Sequence, residues 1–317
     1  MEERLLGRTG LRVSSLGLGT LTWGRDTEPD DAATLLADFI DAGGTLVDTS
    51  ASYADGAAEE LIGALLRDRV SRTDVLLCTK AGIRRTPGGG VVDASRRSLL
   101  DSLDASLARL GTDHVDLWLV QTPDPLTPPE ETADALAHAV DSGRARYVGV
   151  SNHSGWQTAR LASLLDPHPL AAVEVEYSLL QRGIEREVQP AADALGAGVL
   201  AWSPVGRGVL TGKYRRTVPA DSRAASAHLA GFVEPYLGTA SAPIVDAVRT
   251  AAEGLGVAPL EVALAWVLGR GVASAVIGPR TPAQLTAALE VDLVLPPAIV
   301  AALDEVSAPA LGYPERL

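Results

Sequence analysis

The sequence predicts an α/β protein: a (β/α)8 TIM barrel with an N-terminal β-hairpin and extra helices near its C-terminus. Three observations carry that expectation. Eight short apolar runs alternate with amphipathic segments, and strand–helix alternation implies a parallel sheet. The runs are hydrophobic throughout, as strands buried on both faces are. An open dinucleotide-binding sheet would need G-x-G-x-x-G between strand and helix, but Gly17-Leu18-Gly19 lacks the third glycine and precedes no helix. No composition break marks a linker, so a single barrel domain over 1–317 is expected.

Taken in order, residues 4–24 read as a hairpin around Thr9-Gly10 and a first strand near Ser15–Thr20. Thr27 and Pro29 open a helix that stops at Gly43-Gly44. The strand TLVDT, the helix AAEELIGALLRD and the strand DVLLCTK follow, then a Gly-rich loop (IRRTPGGGV) whose tip is placed at Gly88–Gly90. An amphipathic segment over 93–110 ends at Gly111. After the strand HVDLWLV, Thr127, Pro128 and Glu130 predict a capping box for the next helix. The strands RARYVGVS, AAVEVEY and GVLAWSP are separated by helical segments, and 204–240 reads as irregular. Helices over 242–255 and 259–269, the strand VASAVIG, a helix from Thr281 and a last helix near 297–306 complete the chain.

With 317 residues, the chain is long enough to bury a sizeable core. Its net charge of −13 argues against nucleic acid or an anionic membrane as partner. The lone Cys78 excludes an internal disulfide. The N-terminal residues do not read as a secretory signal, and no apolar run reaches the length of a membrane span, so a cytoplasmic protein is expected.

Active sites of such barrels lie at the C-terminal strand ends. Those ends carry, in order, Thr20 with Trp23 beyond it, Asp48 with Tyr53, Lys80, Gln121, Ser151-Asn152, Glu174 with Glu176 and Tyr177, Trp202-Ser203, and Gly278-Pro279-Arg280. Lysine is scarce: among 27 basic residues only Lys80 and Lys213 are Lys. A lysine at the end of a buried strand is a compact charge that can tune a neighbour, which a guanidinium does less readily. Tyr, Lys and Asp together suggest proton donation. An ammonium lowers a phenol's pKa from about 10, and a carboxylate keeps that ammonium charged.

The chain resembles the aldo-keto reductase family over essentially its whole length. The resemblance rests on GLGTxxWG (Gly17 to Gly24), VDTSASYADGAAEELIG (Val47 to Gly63), TKAG (Thr79 to Gly82), HVDLWLVQTPDP (His114 to Pro125), RARYVGVSN (Arg144 to Asn152), EVEYSLLQR (Glu174 to Arg182), WSPVGRGVLTGKY (Trp202 to Tyr214) and IGPRTPAQL (Ile277 to Leu285). It implies a barrel binding NADP(H) without a Rossmann domain and reducing a small-molecule carbonyl. By that resemblance Tyr53 is the general acid, Lys80 its tuning group, Asp48 the partner of Lys80, and Gln121 stands at the catalytic position of the fourth strand. Ser151, Asn152 and Glu174 would face the nicotinamide carboxamide, with Trp202 on its ring and Thr20 and Gly278 also on the cofactor. Ser203, Pro204, Gly206, Gly208 and Lys213 would follow the pyrophosphate. Arg280, with Thr281, Pro282 and Gln284 opening a helix, offers a guanidinium and a helix N-terminus to a phosphate, which favours NADPH over NADH. Trp23, Tyr53 and Gln121 would line the substrate pocket.

Three departures from the family pattern bear on function. Gln121 replaces a catalytic His; it can donate a hydrogen bond but cannot titrate. His114, about 20 Å away at strand rise, cannot substitute. Glu174 replaces a Gln near the carboxamide, and Ala288 stands where an Asn often contacts adenine. Reduction of an activated C=C bond and a cofactor-binding regulatory subunit with little turnover are the alternatives.

The other features read as structural. The five His residues show no metal-ligand spacing, and His153 is expected on a loop near solvent. GRGVLTGKY fails as a phosphate loop because Arg207 stands five residues before Gly212. Trp118 and Trp266 lie in apolar segments and should pack. Glu59 and Glu60 should serve a helix N-terminus.

Overall fold

The computed structural model describes all residues except 87–88, 216, 221, 311 and 313–317. Eight strands close into a barrel in chain order. They are β1 (Leu16–Gly19), β2 (Leu46–Asp48), β3 (Leu76–Ala81), β4 (Val115–Val120), β5 (Ala145–Ser151), β6 (Ala172–Glu176), β7 (Gly198–Trp202) and β8 (Ser274–Ile277). The ladder runs parallel from β1 to β6, and from β7 through β8 back to β1. The central residues of every strand are buried because helices cover the outer face and side chains fill the interior. The barrel expectation therefore holds.

The N-terminal hairpin pairs Glu3–Leu5 with Arg12–Ser14. It places Leu6 and Val13 in one buried cluster with Leu46, Cys78, Leu117, Leu119, Ala172 and Leu200, at the N-terminal end of the barrel. Gly7 is required there: its φ is 60°, and a Cβ would lie 2.6 Å from the Gly198 nitrogen.

By internal contacts the chain forms two compact units. The first contains β1 to β5, most of β6, β7, β8 and the helices through Val188–Leu195, plus Pro282–Leu289. The second comprises Glu176–Glu185, Ser203–Gly271 and Glu290–Leu317, and carries the extra helices Ala242–Leu255, Pro259–Leu268 and Pro297–Val306. Within it the Tyr177 and Trp266 rings meet at a 54° tilt with centroids 5.4 Å apart, and the Trp266 indole donates to Asp304 at 2.9 Å.

Several local expectations are corrected. The Thr127–Glu130 capping box does not form. Its helix begins at Pro129, Thr127 donates instead to Asp124 at 2.7 Å, and Glu130 pairs with Arg160. The Thr27 hydroxyl bonds Thr22 at 2.8 Å and does not cap Pro29–Asp41. The segment 93–110 becomes helical only at Arg96, where the Ser95 side chain caps it. The Gly-rich loop is an antiparallel hairpin, Ile83–Thr86 with Gly89–Val92; its expected tip includes Gly88, outside the described residues. The stretch 204–240 holds short helical turns at Gly206–Thr211, Arg223–Ala225, Ala230–Val233 and Glu234–Tyr236.

Candidate active site

The end of β2 delivers Asp48, whose backbone carbonyl accepts from the Thr20 amide (3.0 Å) and hydroxyl (2.9 Å). Thr20 thus ties two strand ends together. From β3, Lys80 projects into the barrel, 2 % exposed. Its Nζ lies 2.5 Å from Asp48 Oδ1, 2.9 Å from the Thr49 carbonyl and 3.2 Å from Glu174 Oε2 on β6. Tyr53 follows β2 on a tight turn in which Ala54 (φ 47°), Asp55 (φ 60°) and Gly56 (φ 95°) are all left-handed. Two non-glycine residues in that region cost roughly 1–2 kcal/mol each. That turn sets the Tyr53 ring so that its centroid is 5.5 Å from Lys80 Nζ.

The electrostatics reverse one expectation. Lys80 should lower the pKa of Tyr53, but the net shift is upward. Burial of the phenol dominates, and the carboxylates of Asp48 and Glu174 oppose what Lys80 contributes. Tyr53 is half-buried as a residue, yet burial is the largest influence on its phenol. Burial also disfavours the charge on Lys80, but Asp48, Glu174 and Tyr53 together hold its pKa well above the ordinary lysine value. Burial, then Asp48, push Glu174 up to about 8, against the lowering effect of Lys80.

Gln121, at the end of β4, sits in a neutral cluster. Its Oε1 accepts from Ser50 Oγ at 2.8 Å and Ser52 Oγ at 3.1 Å, so its amide NH2 remains as a donor. Asn152 takes a left-handed backbone (φ 59°), which asparagine tolerates. Its side chain donates to the Gln121 carbonyl at 2.9 Å and accepts from the Trp202 indole at 3.1 Å. Ser151, Asn152, Gln121 and Trp202 are therefore brought together.

Trp23 is completely buried, and its indole N–H has no protein partner. Gln284 Oε1 accepts from the Arg280 amide at 2.9 Å and Thr281 Oγ1 from the Gln284 amide at 3.4 Å, a reciprocal cap on Pro282–Leu289. Gly278 follows the end of β8, before Arg280. Ser203, Pro204, Gly206, Gly208 and Lys213 belong to the second unit. There Ser203 (φ 53°), Arg207 (φ 57°), Gly206 and Gly208 give a succession of left-handed turns.

Sequence reasoning missed three things. His153 is buried, not near solvent: its Nδ1 donates to the Ser151 carbonyl at 2.9 Å, and burial lowers its pKa. Glu59 is fully buried, paired with Arg109 at 2.6 Å and accepting from Thr79 at 2.5 Å. Arg207 forms a two-point pair with Glu176 (2.8 and 2.5 Å) and stacks on Phe232 at 4.0 Å. A Glu with an arginine far along the chain gives no local signal.

Residues 15–308 match the profile of the aldo/keto reductase family. The chain belongs to that family. It is 35% identical to L-glyceraldehyde 3-phosphate reductase of Escherichia coli (strain K12) over 296 residues, 90% of this chain and 86% of the relative. It is 34% identical to a probable voltage-gated potassium channel subunit beta of Oryza sativa subsp. japonica, covering 100% of this chain and 98% of that one. An uncharacterised oxidoreductase of Bacillus subtilis (strain 168) is 36% identical over 90% of this chain and 89% of its own length. As an aldo/keto reductase the chain is an oxidoreductase, and the barrel mouth just described is its candidate active site.

Proposed function

We propose that this protein reduces an aldehyde or ketone to an alcohol with NADPH. The observation that supports it best is the buried Asp48–Lys80 ion pair beside Tyr53 at the strand ends. The donor set suits a nicotinamide cofactor: the Ser151 hydroxyl, the Asn152 amide and the partly exposed Trp202 indole for the ring end. Arg280, at the start of Pro282–Leu289, suits a ribose phosphate. A reduced nicotinamide supplies hydride to the carbonyl carbon when bound.

The chain's own residues handle the proton. Tyr53 gives its hydroxyl proton to the carbonyl oxygen as negative charge builds there. Lys80 stabilises the phenolate left behind, and Asp48 holds Lys80 in place through the 2.5 Å contact. Gln121 contributes a hydrogen bond and no proton, its carbonyl end being fixed by Ser50 and Ser52. We further propose a cytoplasmic setting. Among the described residues no single helix is long and apolar enough to cross a membrane.

Quenching of tryptophan fluorescence by NADPH and NADH, followed by NADPH consumption with a panel of aldehydes, tests the reading. L-Glyceraldehyde 3-phosphate heads that panel because it is the substrate named for the Escherichia coli relatives. Binding at least ~10-fold tighter for NADPH, with turnover of one or more aldehydes, is expected from charge-assisted bonds to the extra phosphate. Failure of both nucleotides to bind contradicts it. Tight binding without turnover favours a second reading, a cofactor-binding regulatory subunit with little turnover; the non-titrating Gln121 motivates it, and two plant relatives are named as probable voltage-gated potassium channel beta subunits.

A further inference from the structure

Glu174 creates a charge imbalance that the rest of the site does not offset. Asp48, Lys80 and Glu174 are at most 3 % exposed, and the cluster holds two carboxyl groups for one ammonium. Among the described residues, the other groups facing it add no cation. Cys78 and Tyr53 are neutral acids whose protons burial holds more tightly. On the flanking strands Ser151 and Trp202 do not titrate, and beyond Ser151 lies the neutral His153 imidazole. Glu176, two residues further along β6, is already matched by Arg207 at 2.5 Å. An uncompensated buried carboxylate is costly enough that it takes up a proton instead.

The geometry also says which carboxyl holds it. Lys80 Nζ sits 2.5 Å from Asp48 but 3.2 Å from Glu174. At that longer separation Glu174 Oε2 makes no hydrogen bond to Lys80, and the other carboxyl beside Glu174 is that of Asp48.

We propose that Glu174 is a neutral carboxylic acid in the working enzyme and acts as a positioning residue that reserves the Lys80 charge for Tyr53. This rests on the reading of Tyr53 as the acid. With Glu174 protonated, the cluster is neutral, and the ammonium is free to stabilise a Tyr53 phenolate. When Glu174 ionises, Lys80 is shared between two carboxylates and the phenol holds its proton more tightly. Ionisation near pH 8 would therefore impose an alkaline fall in reductive turnover.

The linked stability has a definite sign. A carboxyl raised from 4.5 to about 8 binds its proton in the folded state and not in the unfolded one between those values. Its stabilisation is complete below about pH 4.5 and is lost as pH rises through about 8.

The test compares wild type with Glu174→Gln, whose amide keeps the shape of the protonated acid. Three measurements are made from about pH 5 to about pH 9: melting temperature, the infrared carbonyl band of a protonated carboxyl, and the pH profile of kcat/KM. The expected result is a melting-temperature advantage of the variant that grows by several degrees across that range. The wild-type carboxyl band should be present at neutral pH, fade near pH 8 and be missing from the variant. The alkaline limb should move upward in the variant. A melting-temperature difference that stays flat, together with no carboxyl band at neutral pH, overturns the proposal. So does an alkaline limb that does not move. Should the variant misfold, the wild-type infrared titration still decides whether the proton is there. If no aldehyde is turned over at all, the reductase reading fails, while the melting and infrared results still report on Glu174.

Discussion

Two buried ion clusters stand on opposite faces of β3, one residue apart. Thr79 turns outward and donates to Glu59, which is clasped by Arg109 through two nitrogens at 2.7 and 2.6 Å. Lys80 turns inward to Asp48 and Glu174. The outer cluster matches one acid to one base and satisfies the carboxylate with three donors. The inner one has two acids for one base and leaves an oxygen without a hydrogen bond. A buried pair that serves only the fold completes its hydrogen-bond inventory, because each unmet group costs about 1–3 kcal/mol. An incomplete inventory beside a phenol marks a place where charge is meant to move.

The sharpest way to break the comparison is to unbalance the outer cluster. Glu59→Gln leaves the Arg109 guanidinium without its counter-charge while Asp48, Lys80 and Tyr53 are untouched. A loss of about 3 kcal/mol in urea unfolding is expected, since breaking a buried pair from one side costs about 3–5 kcal/mol and Arg109 is 23% exposed. Turnover per folded molecule should change little. A stable variant with lost activity would mean that the outer cluster is part of the chemistry.

A smaller effect sharpens the account of the inner site. Burial lowers the His153 pKa, so the unfolded chain takes up a proton that the folded one refuses. The stability associated with His153 is present above about 6.5 and is lost as pH falls below it. This is opposite in sign to Glu174. His153→Gln should flatten the acid-side decline in melting temperature; an unchanged decline would place its cause elsewhere.

Much of this was legible in the sequence. The period of the apolar runs and the residues that end them gave the barrel and the assembly of Asp48, Tyr53, Lys80, Gln121, Ser151, Asn152 and Trp202 near its mouth. Helix starts were read less well: Thr127 and Thr27 have cap chemistry, but their hydroxyls found Asp124 and Thr22, a tertiary choice that local rules do not contain. The direction of the Tyr53 shift was also out of reach, because it depends on how burial and two carboxylates add against one ammonium. Arg109 lies 50 positions from Glu59, so no spacing rule pairs them.

The central claim is that Tyr53 donates the proton. Tyr53→Phe removes one oxygen and leaves Asp48, Lys80 and the residues proposed to hold the nucleotide in place. Steady-state NADPH consumption with the best aldehyde, alongside NADPH titration by tryptophan fluorescence, tests the claim directly. A fall in kcat of at least ~100-fold, the lower range for a lost general acid, with NADPH affinity within about threefold of wild type, is the predicted result. Turnover close to wild type would contradict the account, and the proton would have to come from another group.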